Sequence, residues 1–260
     1  MHRYIPIILA SFFLFLLPVS VSSKVSIGAK EVDEIIKRLD NELSRSNTYV
    51  DRRRNAIDSL RQIVSSGDID LETRLEGILR LGDSYSVLNT DSALTFYFKG
   101  FRLAEANGLD SISARFRLRN ATYLPLLAFI TQAQGVFDSI SPATLPPGLM
   151  DEYYDAARQM YFYIASYYVN YSDIHDIYMK KSQEAQAKLL TFLEEDTPKY
   201  LLNQGEYFFY HQEYGKAQAV LLRLLDMVPV EDNLYARACH FLADIAKVRG
   251  EHNAYLYYLA

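Results

Sequence analysis

Residues 201–229, LLNQGEYFFYHQEYGKAQAVLLRLLDMVP, decide the fold. Gly205, Phe208, Ala217 and Pro229 fall where a pair of antiparallel helices needs a small residue, an aromatic, a second small residue and a stop. Gly and Ala let two helices cross closely, the aromatic fills the space beside the crossing, and Pro cannot continue a helix. Similar units recur at roughly 40-residue spacing, the signature of a stacked repeat array. One pair cannot bury its apolar face alone, so neighbours must stack into a superhelix. The expected class is all-α, a tandem helix-hairpin superhelix.

Working outward, a first unit, 70–106, places Leu81, Gly82 and Tyr85 in a helix over 71–87 and Asp91, Ser92 and Ala93 at the start of a helix over 91–106. Asn107-Gly108 stops it. A second unit spans 111–140, and Pro125 should kink or shorten its first helix. SPATLPPG (141–148) is a proline-rich connector and the best candidate for a flexible joint between units 1–2 (70–140) and units 3–5 (149–260). The third unit, 149–194, is elongated and carries Tyr153, Tyr154, Tyr161, Tyr163, Tyr167, Tyr168 and Tyr171. A fifth begins at Glu231. AYLYYLA at the end has no cap and no stop, so the helix is expected to continue, as in a fragment, or to fray. In front, residues 24–69 read as a helical hairpin. Val32, Ile35, Ile36, Leu39 and Leu43 form one stripe, and Val50, Ile57, Leu60 and Val64 another, with Asn47 or Thr48 as the intervening cap. Arg52–Arg54 point in three directions and read as a solvated face. Alternating runs bounded by turn pairs are absent, so β-structure is not expected.

Residues 1–23, MHRYIPIILASFFLFLLPVSVSS, have the pattern of a secretory signal peptide. Arg3 is the positive start, Ile5–Leu17 the apolar core, Pro18 a breaker and Ser20, Ser22 and Ser23 small residues. The core is short for a membrane span of ~20 residues. Cleavage would leave a chain starting around Lys24, with a periplasmic or cell-envelope location, and retention as an uncleaved anchor is the alternative.

Composition narrows the function. The net charge of −5 and the lack of a long basic run argue against nucleic acid as a partner. Cys239 is the only cysteine, which excludes an intramolecular disulfide, and its apolar helical context reads as a buried small hydrophobe. No HExxH, CxxC, GxGxxG, GxxxxGKS or GxSxG occurs. The chain is therefore expected to be non-enzymatic, with neither cofactor nor metal. Asp-Ser-apolar triplets recur at Asp58, Asp91, Asp110 and Asp138. Asp91 and Asp110 read as helix N-caps, and Asp196 or Thr197 as another. The triplets also match an O-glycan acceptor pattern of some exported bacterial proteins. Twenty-one tyrosines, with no tryptophan, fill half-buried contacts or line a binding groove.

The units resemble the tetratricopeptide repeat: Leu201, Gly205, Phe208, Tyr214, Ala217 and Pro229 match in step, with Gln204 departing from the usual Leu. The front, KEVDEIIKRLDNEL…YVDRRRNAIDSLRQIV, is similar to a family of bacterial envelope regulators with periplasmic repeats, one membrane helix and a cytoplasmic helix-turn-helix. That resemblance implies a sensory or regulatory role, with a membrane segment expected beyond Ala260. First helices build the inner surface of such arrays, so Tyr153, Tyr161, Tyr168, Asn203, Glu206 and Tyr210 are the candidate contacts to a protein or peptide segment. A structural spacer that positions or dimerises an attached domain is the alternative, with a carbohydrate-uptake accessory protein as a third reading.

Overall fold

The computed structural model describes residues 29–259, so the leader reading of residues 1–23 lies outside the described residues. Among those residues there are twelve α-helices and no strand. The expectation of an all-α array holds.

Several helices begin at a side-chain cap. In α3, Leu71–Ser86, the Asp70 carboxylate accepts the Thr73 amide at 2.8 Å and so occupies one of the four donors a helix start leaves unpaired. The partner α4, Thr90–Ala106, is capped by Asn89, whose Oδ1 accepts the Ser92 amide at 2.8 Å. Asp91 therefore sits inside the first turn, where its charge favours the positive end of the helix dipole, and is not the cap. Asp110 is likewise the first residue of α5, Asp110–Tyr123, behind Leu109. Thr197 caps α9, Pro198–Tyr210, through the Tyr200 amide, while Asp196 adopts a left-handed backbone with φ of 63°. At the front, α1 (Ala29–Ser44) and α2 (Ser46–Ser65) are separated by Arg45 alone. Neither Asn47 nor Thr48 caps, because both already lie within α2. α1 packs against both α2 and the last helix of the chain.

Pro125 acts as its chemistry requires. α5 stops at Tyr123, residues 124–127 tighten into a 3-10 turn, and Ala128 takes a left-handed φ of 65° before α6, Ile130–Asp138. The connector forms two further 3-10 turns, Pro142–Thr144 and Pro147–Leu149. Phe137 and Ile140 before it share one apolar cluster with Ala156, Ala157 and Met160 after it. The remaining pairs are α7 (Met150–Tyr167) with α8 (Ser172–Leu190), α9 with α10 (Tyr214–Leu225), and α11 (Asn233–Val248) with α12 (His252–Leu259).

Small residues mark the crossings. A methyl on Gly205 would stand 2.6 Å from Leu221, so the close partner is Leu221, one turn beyond Ala217, which is itself fully buried. A methyl on Gly82 would collide with the Tyr97 ring, and one on Gly100 with the Phe116 ring. The ring that fills the first crossing is thus Tyr97 from the second helix. Tyr85 instead stacks on Phe96 at 5.4 Å and lies under the Arg61 guanidinium.

A single apolar spine running from Asp70 onward is the simplest expectation for such an array. The buried apolar side chains form two clusters instead. One extends from Leu75 to Ala185 and the other from Leu201 to Ile245.

Candidate functional site

The first helices of successive pairs, α3, α5, α7, α9 and α11, lie parallel and in register, and charge pairs fix the register. Glu76 and Asp83 of α3 meet Arg115 and Arg119 of α5 at 2.8 and 3.0 Å. Arg115 also reaches Glu152 of α7 at 3.1 Å. Asp151 of α7 accepts Lys199 of α9 at 2.8 Å, and two turns further on Arg158 donates to Glu206 at 2.9 Å. Arg237 of α11 closes the series on the other Glu206 oxygen.

The centre of this series is Glu206, which is 1% exposed. A carboxylate is stable there only because each oxygen has its own guanidinium, and Gln186 of α8 adds a third donor at 3.3 Å. Arg158 is also clasped by Asp155 at 2.8 Å. Burial alone would pull its guanidinium pKa down, but the charges of Glu206 and Asp155 outweigh it and hold the group above its ordinary value. Asp155 shows the mirror effect: burial pushes its carboxyl up, and Arg158 more than compensates, leaving it below the ordinary range.

Beside this network α7, α9 and α11 enclose a groove of about 600 Å³. Its walls alternate charge with aromatic surface: Arg158, Glu206 and Arg237 beside Phe162, Tyr210 and Phe241. Tyr210 and Phe241 stand edge to face at 6.2 Å, and Phe162 closes on Tyr210 at 6.1 Å. Burial, then the nearby Glu206 charge, push the Tyr210 phenol up to about 12, so it is a neutral donor at physiological pH. His240 and Asp244 form the outer rim as a 3.6 Å pair. The groove thus offers flat apolar faces for side chains and oriented polar groups for a peptide backbone.

Of the residues singled out from sequence, Glu206 and Tyr210 line this groove. Asn203 lies just beneath. Its side-chain amide donates to the Lys199 carbonyl, its own carbonyl accepts Gln186, and its Oδ1 is buried without a partner. Tyr153 and Tyr161 are elsewhere, on the opposite side of α7, and Tyr168 follows at its C-terminal end. Tyr153 stacks on Phe137 at 4.8 Å, and Tyr161 and Tyr168 both stack on Tyr178 of α8. Lys181 covers the Tyr161 and Tyr178 rings. Arg158 and Arg237 escaped the sequence reading, since each finds Glu206 only across the fold, 48 and 31 residues away. A signal existed. Leu202, Glu206 and Phe209 share one helical stripe, and a carboxylate on an apolar stripe calls for a buried cation. Cys239 is half-buried, a little more open than expected, and burial pushes its thiol pKa up, away from a reactive thiolate. Among the described residues no group of His, Cys, Asp or Glu could hold a metal ion, and no helix is long and apolar enough to cross a membrane.

No curated protein matches the chain. Among solved structures it is similar to BtubC (BKLC) from P. vanneervenii, at 17% identity over 76% of this chain and 87% of that one, with a TM-score of 0.38. The family comparison reaches further: residues 43–260 match the family described as the SusR N-terminal TPR domain. The two-helix repeats, the glycine crossings and this match agree, and the chain belongs to the SusR N-terminal TPR domain family, as a tetratricopeptide-repeat module of the protein-interaction type.

Proposed function

We propose that this chain is the exported, ligand-holding part of an envelope regulatory protein, and that it binds a protein or peptide segment in the groove between α7, α9 and α11. The observation that carries the reading is the groove itself, where paired charges and edge-on aromatic rings converge from three first helices. Repeat arrays bind through such extended surfaces, and Tyr and Phe supply contact area at low entropic cost. The exported location rests on the leader pattern of residues 1–23, and the regulatory role on the family match together with the resemblance of the front of the chain to envelope regulators.

The test is a paired pull-down from envelope extract with the wild-type chain and with Tyr210→Ala/Phe241→Ala. Both rings border the groove, and neither belongs to the ion-pair network. A partner recovered by the wild type and lost at least about tenfold in the double variant, an effect of ~1.4 kcal/mol or more, supports the reading. Equal recovery by both chains removes the groove from consideration. Cell fractionation with N-terminal sequencing checks the location, with a mature start near Lys24 expected.

A further inference from the structure

The two apolar clusters divide the array into two packed blocks. The first takes in Val64 of α2 at one end and Ala185 of α8 at the other, and the second runs from Leu201 of α9 to Tyr258 of α12. Between them lie Arg158, Gln186, Asn203 and Glu206, joined by hydrogen bonds and charge. The groove opens beside this seam, with Phe162 on the first block and Tyr210 and Phe241 on the second. Among the described residues the chain passes from one block to the other through residues 191–197. A seam of this kind resists separation at Arg158–Glu206, but it has no continuous close-packed surface to resist a rotation about that pair.

A second tie crosses between the blocks, and it is α1. By sequence α1 stands at the front of the first block, yet it packs on α12 at the far end of the second. Only Arg45 separates α1 from α2, whereas two helices that fold back on each other need a loop of about 2–5 residues. α1 therefore projects from α2 instead of lying along it. Its buried side chain is Ile35, and Arg38 comes near enough to Tyr235 of α11 for its charge to act on the phenol. Ile35 and the start of α2 at Ser46 are no more than about 16 Å apart at 1.5 Å per residue. A straight stack of these pairs, at ~10 Å per packed helix, would set α2 and α12 several tens of ångströms apart. The array is thus curved until its two ends nearly meet, and α1 spans the remaining gap.

We propose that α1 is a strap. Docked on α12, it holds the two blocks closed about the groove. Undocked, it lets the second block swing on the Arg158–Glu206 pair and widens the gap between Phe162 and Tyr210. The hold is small, since Ile35 is 7% exposed while Ile36 and Leu43 on the same helix are 43% and 61% exposed. Segments with few buried apolar contacts are the ones that open first. α11 carries the strap contact at Tyr235 and the groove wall at Arg237 and Phe241, so docking on one face is felt on the other. By linkage, a ligand that closes the groove favours the docked strap, and the docked strap favours that ligand. This last step rests on the groove being the binding site, and the strap itself does not.

Electron–electron distance measurements on the full chain test it. Cys239→Ala removes the one native thiol, and nitroxides are then placed on exposed helix positions. Lys99→Cys with Ala219→Cys spans the two blocks, and Lys99→Cys with Ala187→Cys stays within the first. Asp40→Cys with Ala219→Cys reports the docked strap. Each pair is expected to give one narrow distance. Adding Ile35→Asp should lengthen the pair between blocks by several ångströms and broaden it, as in hinge opening, with the pair inside the first block unchanged. A distance between blocks that ignores Ile35→Asp overturns the proposal. So does a change of the inner pair, which would make α1 a part of the fold instead of a strap. The Asp40–Ala219 distance should survive an excess of unlabelled chain, and its loss on dilution would assign the α12 contact to a second copy and overturn the strap as well. The distances are read without ligand, so a failure of the strap and a failure of the groove reading remain separate results.

Discussion

The seam between the second and third helix pairs and the seam between the fourth and fifth join similar units by different physics. At the first, Gly100 of α4 admits the fully buried Phe116 ring of α5, and one apolar cluster runs through the contact. Its ion pairs, Glu76–Arg115 and Asp83–Arg119, lie at the margin and are partly solvated. At the second, the apolar clusters end on either side, and Arg158, Glu206, Gln186 and Asn203 occupy the space between. Packing glues the first seam and fixes it without chemical selectivity. The second is held by charges that tolerate only matched partners, and it borders the groove. A repeat array can therefore change its glue from seam to seam while its backbone geometry stays the same.

The largest effects test the two kinds of glue directly. Phe116→Ala empties the dry seam and is expected to cost about 3–5 kcal/mol by chemical denaturation. Glu206→Ala leaves Arg158 buried without its carboxylate and should cost a similar ~3–5 kcal/mol. In a chain of this size either loss lowers Tm by roughly 10 °C. What separates them is rescue. Glu206→Leu combined with Arg158→Met removes both members of the most buried pair, leaving only the partly exposed Asp155 and Arg237 without those partners, and should recover part of the lost stability, because an apolar replacement of a buried pair is often neutral or better. The rescued chain would test binding free of stability effects, with groove recognition still lost if Glu206 orients the ligand. No such double replacement is available at Gly100–Phe116, where shape alone is at stake. If the double variant stayed as unstable as Glu206→Ala, the contrast between the seams would fail.

A smaller effect sharpens the contrast. Tyr97 fills the Gly82 crossing and donates its hydroxyl to Asp83 at 2.7 Å, where Arg119 also converges. Tyr97→Phe keeps the ring and loses only the hydrogen bond, so about 1 kcal/mol is expected from thermal denaturation. A loss as large as that of Phe116→Ala would mean that the first region, too, depends on its polar ties.

The fold was legible because its signals are local. Gly205 at its close crossing (against Leu221, where Ala217 is the expected partner), Gly82 before a second helix, Pro125 within a helix and Asn107-Gly108 after one all act within a few turns. The misreadings are instructive. Asp91 and Asp110 satisfy the cap pattern, but Asn89 and Leu109 precede them and shift the helix start by one or two residues. The candidate groove was half legible. Glu206 and Tyr210 follow from their places on a first helix, whereas Tyr153 and Tyr161 on α7, and Tyr168 just after it, turn to Phe137 and Tyr178. A helix inside a repeat stack is buried on more than one side, and periodicity reports that a stripe is covered without naming the neighbour. Arg158 and Arg237 depend on contacts between distant segments, which only the stacking of pairs supplies.

The smallest expected effect concerns acid. Asp155 has its carboxyl below the ordinary range because Arg158 outweighs the opposing effect of burial. A depressed folded value adds stability that is fully present above the unfolded value, near 3.9, and is lost as pH falls through the folded one. Asp155→Asn removes that contribution while Glu206 continues to hold Arg158. Wild type and variant should therefore differ most at neutral pH and converge as the solution is acidified below about pH 4, with a neutral-pH gap under ~1 kcal/mol for so partly exposed a carboxylate. Asp70 and Glu76, also depressed by the Thr73 hydrogen bonds and by Arg115 respectively, titrate in both chains and cancel in the comparison. The same measurement on Glu76→Gln, at the margin of the first seam, should give a still shallower difference, because water already competes for Arg115 there. If Glu76→Gln instead produced the larger acid-dependent gap, the second seam would owe its stability to packing after all, and the assignment of the two kinds of glue would have to be exchanged.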